Sequence, residues 1–435
     1  MFKYFSKYAS LKALESFSIL FDDTEIDFQT LKEMIQKRVK QIEEKVKTQK
    51  INIVNSQNLF SNILEIIATW ELSGIPVIVD PNLTEFEFAN IKKTLSACDD
   101  LLPDKVALIL FTSGSSSEPK PILHSFNSLG NSVVLSNNFI EHKNDTWLLS
   151  LQLFHIGGFQ IFLRALLSGS KLFIPQKIDT QNIFKSCITF KPTLLSFVPT
   201  LFKNLIEKKL QPWINLRFVF LGGEACDDLF LKKLVQQNWP IVKVYGSTET
   251  ASMIAAEYIT EKNVHSSGIV FKKVEIKFAS DGEIKIKSPT LYMGSLYKDR
   301  IVKNTDAEGY FLTGDLGKLD KNKSLIITGR KKDIIISGGK NINPAEIEIC
   351  LKALPNISDA LVFGRKDKTW GEAVIAIVEM ENSSRFSEVN IKKELSGKIS
   401  SYKIPKKIYV INKFPLTPTG KTDKRKLEKL FNKFL

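Results

Sequence analysis

Short apolar runs alternate with amphipathic segments along the chain, and this pattern limits the possible folds more than any other feature of the sequence. Each run is five or six residues long, which suits a strand and falls far short of the ~20 residues that a membrane-spanning helix needs. Buried parallel strands have this continuous apolar composition, and helices usually connect them. The sequence therefore predicts an α/β fold of mixed, largely parallel sheets, with strands at residues 51–55, 75–80, 106–111, 146–151, 171–175, 193–198 and 216–221.

The pattern changes after residue 272, where apolar and charged residues alternate as they do in antiparallel strands. An Asp-Gly pair at 281–282 predicts a hairpin, and residues 311–330 predict two more strands with a turn at 320–323. A Lys-rich segment follows, with helices expected near 343–354 and 389–400 and strands at 359–364 and 372–380. We therefore predict a large N-terminal domain with a β-rich lobe (1–330) and a small α+β C-terminal domain (331–435), joined by a hinge.

The first 45 residues have a helical pattern. Leu31, Ile35, Val39 and Ile42 recur at helical spacing. Thr30 stands where a helix N-cap is expected. The pattern predicts a helical N-terminal segment.

The chain is basic. It carries 61 Lys and Arg against 47 Asp and Glu over 435 residues, a formal net charge of +14. Such a charge attracts either nucleic acid or small polyanions. Because the lysines are spread along the whole chain and are not interleaved with aromatic residues in one block, we expect anionic small-molecule substrates and no nucleic-acid partner.

The cysteine and histidine content argues against several kinds of site. The four cysteines are far apart without a CxxC pair, and the four histidines show no HExxH spacing. Disulfide frameworks and zinc sites are therefore not expected. The N-terminus has no uninterrupted apolar segment of a secretory signal, so we expect a protein of the reducing cytoplasm without membrane insertion.

A loop of small hydroxyl residues follows the predicted strand at 106–111. Residues 112–117 read TSGSSS, and Pro119 and Lys120 close the loop. The backbone N–H groups of such a loop can approach a phosphate, and a lysine adds positive charge. The loop lacks the Walker A spacing, and taken alone it also fits a plain polar turn.

Five further segments help to interpret this loop. They are LGGEA (221–225), VYGSTETAS (244–252), YFLTGDLG (310–317), ITGRKKDIIISGGKNINPAEIE (327–348) and PLTPTGKTDKRKL (415–427). Each alone has an ordinary structural explanation. In this order and spacing, the six segments resemble the acyl-adenylate-forming superfamily of acyl-CoA synthetases, peptide-synthetase adenylation domains and luciferases, from about residue 105 to the C-terminus.

The resemblance implies a ligase that works in two steps. A carboxylate attacks the α-phosphate of ATP to give an acyl-adenylate and pyrophosphate, and a thiol, commonly that of coenzyme A, then displaces AMP. Negative charge builds on the phosphoryl oxygens, so cations and N–H groups stabilise the transition state. By resemblance, Lys421 bridges carboxylate and phosphate, Thr248 contacts the α-phosphate, and Glu249 binds Mg²⁺, which prefers oxygen ligands.

The resemblance also implies a nucleotide site. Asp315 binds both ribose hydroxyls, Arg330 lies beside it, and Tyr245 stacks near the adenine. The other implied nucleotide-binding residues belong to the phosphate loop and to two turns that follow strands: Thr112, Ser113, Gly114, Ser115, Lys120, Gly222, Gly223, Glu224, Ala225, Gly246 and Ser247.

In this superfamily the C-terminal domain rotates between the two steps. Lys332 matches the hinge residue, and the rotation brings the loop at 337–342 to the thiol channel in place of Lys421. Gly338 and Gly339, followed by Lys340, would let the backbone approach the thiol arm.

The phosphate loop departs from the superfamily pattern. That pattern is TSGTTGxPKG, whereas this chain reads TSGSSSEPKP. Ser117 and Pro121 stand where glycines are usual, and Glu118 adds a negative charge. Because Thr112 and Lys120 are retained, we expect an altered rate and an unchanged reaction class.

Residues 149–175 bear on which acid is bound. Within the superfamily this segment is most similar to the o-succinylbenzoate–CoA ligases of menaquinone synthesis. His155 would lie beside the acyl pocket, and Arg164, nine residues later, could pair with the substrate carboxylate that does not react. The predicted acyl site is completed by Gly157, Gly158 and Ser252.

Alternatives remain open from the sequence alone. Arg164 also fits a helix salt bridge, and His155 also fits a packed core position. Other acids, a carrier-protein acceptor in place of coenzyme A, and a nucleotide-binding protein without turnover all remain compatible with the motifs. Release of pyrophosphate that depends on one acid would separate the enzymes from the last alternative.

Overall fold

Two compact units make up the chain in the computed structural model. It describes residues 2–96, 102, 103, 105–112, 119–140, 144–297, 300–380, 387–415, 422, 426, 427, 430 and 431. Unit 1 is Met1–Ile276 with Ile286–Phe311, and unit 2 is Lys277–Lys285 with Leu312–Leu435.

A nine-stranded sheet forms one layer of unit 1. Its inner strands run parallel, and antiparallel strands complete both edges. In spatial order the strands are β13 (Ile269–Val270), β12 (Ser252–Tyr258), β11 (Ile241–Ser247), β10 (Phe218–Leu221), β9 (Leu194–Phe197), β7 (Thr146–Leu148), β8 (Lys171–Ile174), β1 (Ser18–Phe21) and β2 (Thr24–Ile26).

A six-stranded sheet forms the second layer of unit 1. Three strands at one side are parallel and the other three are antiparallel. In spatial order the strands are β17 (Arg300–Val302), β16 (Gly294–Tyr297), β6 (Lys120–Ser125), β5 (Val106–Thr112), β4 (Ile75–Ile78) and β3 (Ile51–Val54). All seven strands predicted from apolar runs are present in these two sheets, which confirms the α/β prediction.

Helices fill the space around both sheets. Trp147 of the nine-stranded sheet, Leu108 of the six-stranded sheet and Phe162 of a helix belong to one buried core. The helices of unit 1 are α1 (Phe2–Phe5), α2 (Leu11–Ser16), α3 (Phe28–Thr48), α4 (Leu59–Glu71), α5 (Glu85–Ser96), α6 (Phe126–Ile140), α7 (Ile156–Ser168), α8 (Thr180–Phe190), α9 (Pro199–Glu207) and α10 (Asp228–Gln236). Among the described helices, none has the length and apolar composition of a membrane span.

The N-terminal segment is less helical than its pattern predicts. Residues 18–26 form β1 and β2, and β1 runs parallel to β8, so tertiary pairing overrides the local pattern there. The cap of α3 is Asp27, whose carboxylate accepts the backbone N–H of Thr30 at 2.8 Å. The prediction of Thr30 as the cap is therefore wrong by one turn.

Unit 2 contains most of a four-stranded sheet and a small α+β body. The sheet has the order β14 (Glu275–Phe278), β15 (Glu283–Lys287), β18 (Phe311–Leu319) and β19 (Leu325–Arg330). The body contains β20 (Ile335–Ser337), β21 (Lys340–Ile342), α11 (Pro344–Lys352), β22 (Asp359–Asp367), β23 (Gly371–Glu379), α12 (Glu388–Ser396) and β24 (Lys407–Ile411). Both predicted turns, at 281–282 and 320–323, lie where strands reverse.

Candidate active site

The turn between β11 and β12 carries Thr248 and Glu249. Here the backbone reverses through Ala251 (φ 52°) and Ser252 (φ 87°), two non-glycine residues in the left-handed region. Thr250, which is buried, accepts the N–H of Ser247 at 2.8 Å and donates to the carbonyl of Ser252 at 2.7 Å. Such strain persists at functional sites only where the surroundings hold it in place.

The loop between β15 and β16 holds the same turn from outside. The carbonyl of Glu249 accepts the backbone N–H of Tyr292 at 2.7 Å. A Cβ atom on Gly246 would lie 2.0 Å from the carbonyl oxygen of Ser252, so only glycine fits there. The side chain of Glu249 is half-buried.

A buried histidine stands beside Thr248. His124 of β6 has no exposed surface, and burial lowers its pKa to about 4, while the backbone of Thr248 opposes that shift. Its Nδ1 lies 3.4 Å from the hydroxyl of Ser128. The imidazole is therefore neutral at pH 7 and lies next to this turn.

The predicted adenine turn follows β10. Gly223 has φ 80°, and a Cβ on Gly222 would lie 2.5 Å from Val244 Cγ2. The carboxylate of Glu224 accepts the hydroxyl of Thr200 at 2.9 Å, which ties the turn to the start of α9. Because β10 and β11 are parallel neighbours, Gly222–Ala225 and Tyr245–Ser247 leave the same edge of the sheet.

The two ends of the predicted phosphate loop are paired strands. Thr112 of β5 lies opposite Lys120 of β6, and Phe111 lies opposite Pro121. The predicted residues Ser113, Gly114 and Ser115, like Ser117 and Glu118, lie outside the described residues.

The segment predicted to bind the acid forms the start of α7. His155 is the exposed residue before the helix, and its ring lies 4.6 Å from that of Phe154. A Cβ on Gly158 would lie 2.2 Å from the carbonyl oxygen of Gln152, and one on Gly157 would lie 3.2 Å from Leu151. The glycines thus allow the preceding loop to pack directly on α7. The alternative of a packed core His155 is wrong.

Arg164 is buried in the middle of α7. Eleven of the 13 residues of this helix are buried, and Arg164 is only 3 % exposed. Its Nη2 donates to the hydroxyl of Ser252 at 3.4 Å and its Nε to that of Ser136 at 3.2 Å. Burial lowers the pKa of its guanidinium to about 9, so it stays charged at pH 7.

The charge of Arg164 has no anionic partner among the described residues. Its contacts are hydroxyls, so the alternative of a helix salt bridge receives no support. A buried cation with only neutral partners is costly, and an anion that joins it recovers part of that cost. Arg164 and Ser252 are thus together, whereas His155 lies about 13 Å away along the helix axis, at ~1.5 Å per residue.

Within unit 2, Asp315 and Arg330 form an ion pair. They face each other on β18 and β19, with Arg330 Nε 2.8 Å from Asp315 Oδ1. Asp315 is nearly buried and Arg330 is mostly exposed. The prediction that Arg330 lies beside Asp315 is confirmed, and a carboxylate held in this way can accept two hydroxyls.

A single 3-10 turn, Lys331–Asp333, contains the predicted hinge residue Lys332. Beside it Lys331 pairs with Asp281 at 2.6 Å and Glu283 at 2.8 Å, and these carboxylates raise the pKa of its ammonium. These ion pairs therefore tie the start of the 3-10 turn to the β14–β15 hairpin of the four-stranded sheet.

The predicted thiol loop is a tight reversal between β20 and β21. Gly338 (φ 57°) and Gly339 (φ 73°) both take the left-handed conformation that favours glycine. The N–H of Gly338 donates to the carbonyl of Trp370 at 2.8 Å, and the ammonium of Lys340 lies 4.1 Å from the ring centre of Tyr402.

Two family models match this chain. One, described as AMP-binding enzyme, matches residues 36–296, and the other, the AMP-binding enzyme C-terminal domain, matches residues 346–421. The chain belongs to the AMP-binding enzyme family. The predicted membership of the acyl-adenylate-forming superfamily, and with it the prediction of an enzyme, is confirmed.

Two curated relatives of this AMP-binding enzyme carry the same name. The 2-succinylbenzoate–CoA ligase of Listeria monocytogenes is 30% identical over 359 residues, which cover 81% of this chain and 76% of the relative. The enzyme of the same name from Bacillus licheniformis is 32% identical over 336 residues, or 74% of this chain and 70% of the relative.

Solved structures share the fold. The o-succinylbenzoate CoA synthetase of Bacillus subtilis superposes with a TM-score of 0.85 at 24% identity, over 98% of this chain and 97% of that one. MatB of Rhodopseudomonas palustris superposes with a TM-score of 0.83 at 19% identity, over 96% of both chains. These likenesses confirm the predicted two-part α/β architecture.

The predicted catalytic lysine, Lys421, lies outside the described residues. Among the residues that are described, no group of three His, Cys, Asp or Glu side chains could hold a metal ion alone. Mg²⁺ usually takes one or two protein carboxylates and completes its shell with phosphates and water. Glu249 is a fitting donor for such a site.

Several supporting residues of this AMP-binding enzyme are not among those predicted from the sequence. They are His124, Ser132, Ser136 and Thr250, all buried and all next to the turn or to Arg164. One signal was available, since Ser128, Ser132 and Ser136 recur every four residues on one face of α6.

Proposed function

We propose that this AMP-binding enzyme is a 2-succinylbenzoate–CoA ligase of menaquinone synthesis that consumes ATP with Mg²⁺ and uses coenzyme A as co-substrate. The curated relatives that carry this name support the proposal. The observation that carries it is the buried guanidinium of Arg164, which faces hydroxyls alone among the described residues. 2-Succinylbenzoate has two carboxylates, so one can pair with Arg164 while the other reacts.

In the first step, an oxygen of the reacting carboxylate forms a bond to the α-phosphorus of ATP, and the bond to the pyrophosphate oxygen breaks. Mg²⁺ supplies positive charge that neutralises the phosphates when bound. Glu249 holds that ion, Thr248 donates to the α-phosphate, and Lys421 stabilises the charge shared by the two reactants. Asp315 binds the ribose hydroxyls, and Tyr245 stacks near the adenine.

In the second step, the thiol sulfur attacks the carbonyl carbon of the acyl-adenylate, the carbon–oxygen bond to AMP breaks, and the thiol proton is released to water. Gly338, Gly339 and Lys340 guide the thiol arm in this proposal. We place the hinge at Lys332 and the boundary between the mobile parts at residue 330. The 3-10 turn Lys331–Asp333, which separates β19 from β20, supports that position.

We also propose that the enzyme works in the cytoplasm. Cys187, Cys226 and Cys350 carry free thiols, as expected of a reducing compartment. A fluorescent fusion whose signal follows a periplasmic or membrane marker would contradict this assignment.

The primary experiment is acid-dependent release of pyrophosphate by the purified full chain with ATP and Mg²⁺. The acids are 2-succinylbenzoate, benzoate, succinate and a medium-chain fatty acid, each with and without coenzyme A. We expect turnover with 2-succinylbenzoate and a thioester product only when coenzyme A is present. Faster turnover with another acid would refute the substrate, and ATP binding without turnover on any acid would refute the enzyme.

Replacement of Arg164 tests the role of the second carboxylate. In Arg164→Ala we expect the KM for 2-succinylbenzoate to rise about 10-fold to 100-fold, since a hydrogen bond to a charged group contributes ~1.5–3 kcal/mol. Turnover with benzoate, which lacks the second carboxylate, should change far less. Arg38→Ala is the matched control, because Arg38 pairs with Glu65 between α3 and α4. An equal loss for both acids would contradict the assignment.

A further inference from the structure

Five residues form a closed ring of contacts behind the β11–β12 turn. Arg164 donates to the hydroxyl of Ser136 at 3.2 Å, and that hydroxyl donates to the carbonyl of Ser132 at 3.0 Å. The hydroxyl of Ser132 donates to the carbonyl of Ala251 at 2.6 Å. Ser252, the next residue, accepts from Arg164 at 3.4 Å and completes the ring.

The ring joins two parts of the site that are far apart in sequence. Ser132 and Ser136 lie on α6, Arg164 lies on α7, and the turn belongs to the nine-stranded sheet. Both serines have no exposed surface, so water does not replace a lost partner easily. Ala251 and Ser252, which the ring contacts, are the two residues with positive φ.

We propose that Ser132 and Ser136 are positioning residues with separate tasks: Ser132 holds the left-handed turn that presents Thr248 and Glu249, and Ser136 aims the guanidinium of Arg164 at the second carboxylate of the acid. This inference rests on the proposed function for the roles of Glu249 and Arg164. Neither serine touches the reacting atoms.

The contacts explain why the two tasks separate. The Ser132 hydroxyl donates to the turn and makes no hydrogen bond with Arg164, so its loss removes a hydrogen bond from the carbonyl of Ala251 and relaxes the turn. The Ser136 hydroxyl is hydrogen-bonded to Arg164 and to α6 and makes no hydrogen bond with the turn, so its loss frees the Nε donor. The turn governs phosphate and metal binding, whereas the guanidinium governs binding of the acid.

A kinetic comparison of Ser132→Ala and Ser136→Ala tests the inference. We expect Ser132→Ala to lower kcat for pyrophosphate release about threefold to tenfold with little change in the KM for 2-succinylbenzoate. We expect Ser136→Ala to raise that KM about threefold to tenfold with little change in kcat. Ser186→Ala is the matched control, because Ser186 is buried in α8 and donates only to the carbonyl of Asn182. Ser132→Thr keeps the hydroxyl and should restore kcat.

A binding measurement keeps the two proposals distinguishable. Calorimetry gives the affinity for ATP with and without Mg²⁺, and it needs no turnover. Ser132→Ala should lose most of the increase in affinity that Mg²⁺ produces in the wild-type chain, whereas Ser136→Ala and Ser186→Ala should keep it. If the wild-type chain binds ATP with Mg²⁺ but does not turn over 2-succinylbenzoate, the proposed substrate is wrong. The calorimetry still tests the role of Ser132 in that case, because it does not depend on the acid.

Two results would overturn the inference. One is that Ser132→Ala and Ser136→Ala change kcat, KM and ATP affinity in the same way, as expected of serines that only stabilise the fold. The other is that neither variant differs from Ser186→Ala. Melting temperatures of all variants, measured in parallel, show whether a loss of activity reflects unfolding.

Discussion

At the scale of single residues, buried polar groups next to the β11–β12 turn account for its shape. Ala251 and Ser252 hold a conformation that costs non-glycine residues ~1–3 kcal/mol each. Thr250 and Ser132 offset that cost with short hydrogen bonds to carbonyls of the turn. The turn is therefore held by contacts from several elements. Replacement of one hydroxyl should change the conformation of the turn more than it lowers the stability of the whole chain.

His124 should make stability depend on pH. Its pKa is about 4 in the folded chain against an ordinary 6.5, so the unfolded chain takes up the proton first as the pH falls. The contribution of His124 is therefore complete above about pH 6.5 and disappears between pH 6.5 and 4, a loss of roughly 3 kcal/mol.

Chemical denaturation from pH 7 to pH 4 checks this prediction. His124→Asn should flatten the fall in the free energy of unfolding across that range, whatever its effect at pH 7. His265→Asn is the control, because His265 is exposed and pairs with Asp228 at the surface. A fall as steep in His124→Asn as in the wild-type chain would contradict the assignment.

At the scale of elements, α7 and α3 differ in how much of their surface is buried. α7 is buried on nearly all sides, as expected of a helix inside the core, and this burial is what removes Arg164 from water. α3 has one buried face and depends on its ends as well as its packing. Its N-cap is Asp27, which the helical pattern alone does not reveal.

Replacement of Asp27 should destabilise α3 without altering the active site. Asp27→Ala removes the acceptor for the N–H of Thr30 and should lower the free energy of unfolding by about 1 kcal/mol. Asp27→Ser, which retains a capping oxygen, should recover most of that loss. Urea denaturation measures both variants, and a Thr30→Val variant that costs more than Asp27→Ala would contradict the cap.

At the scale of the whole molecule, the compact units do not follow the predicted boundary at residue 330. Residues 277–285 and 312–330 group with the C-terminal part, because β14, β15, β18 and β19 form one sheet. The amide of Asn343, next to α11, also donates to the carbonyl of Thr328 on β19 at 2.7 Å. The boundary at residue 330 therefore remains a prediction of where the C-terminal domain rotates.

The C-terminal body should fold by itself. The described residues of its main core all lie between Ile335 and Ile408, so a fragment of residues 331–435 retains them all. We expect this fragment to unfold cooperatively with a near-native circular dichroism spectrum. An unfolded 331–435 fragment beside a folded fragment of 277–435 would show that the four-stranded sheet belongs to the same folding unit.

The α/β class, the seven apolar strands, both hairpin turns and the enzyme family were predictable from the sequence. These features depend on local periodicity, turn chemistry and motif spacing, which are readable without contacts. Three features became visible only in the folded chain: residues 18–21 join the nine-stranded sheet, Arg164 contacts Ser252 across 88 residues of chain, and α6 supplies the serines next to them. Which residues are buried, and which residues they contact, depends on packing between segments that are distant in the sequence. The role of a buried charge therefore depends on neighbours that no local sequence pattern identifies.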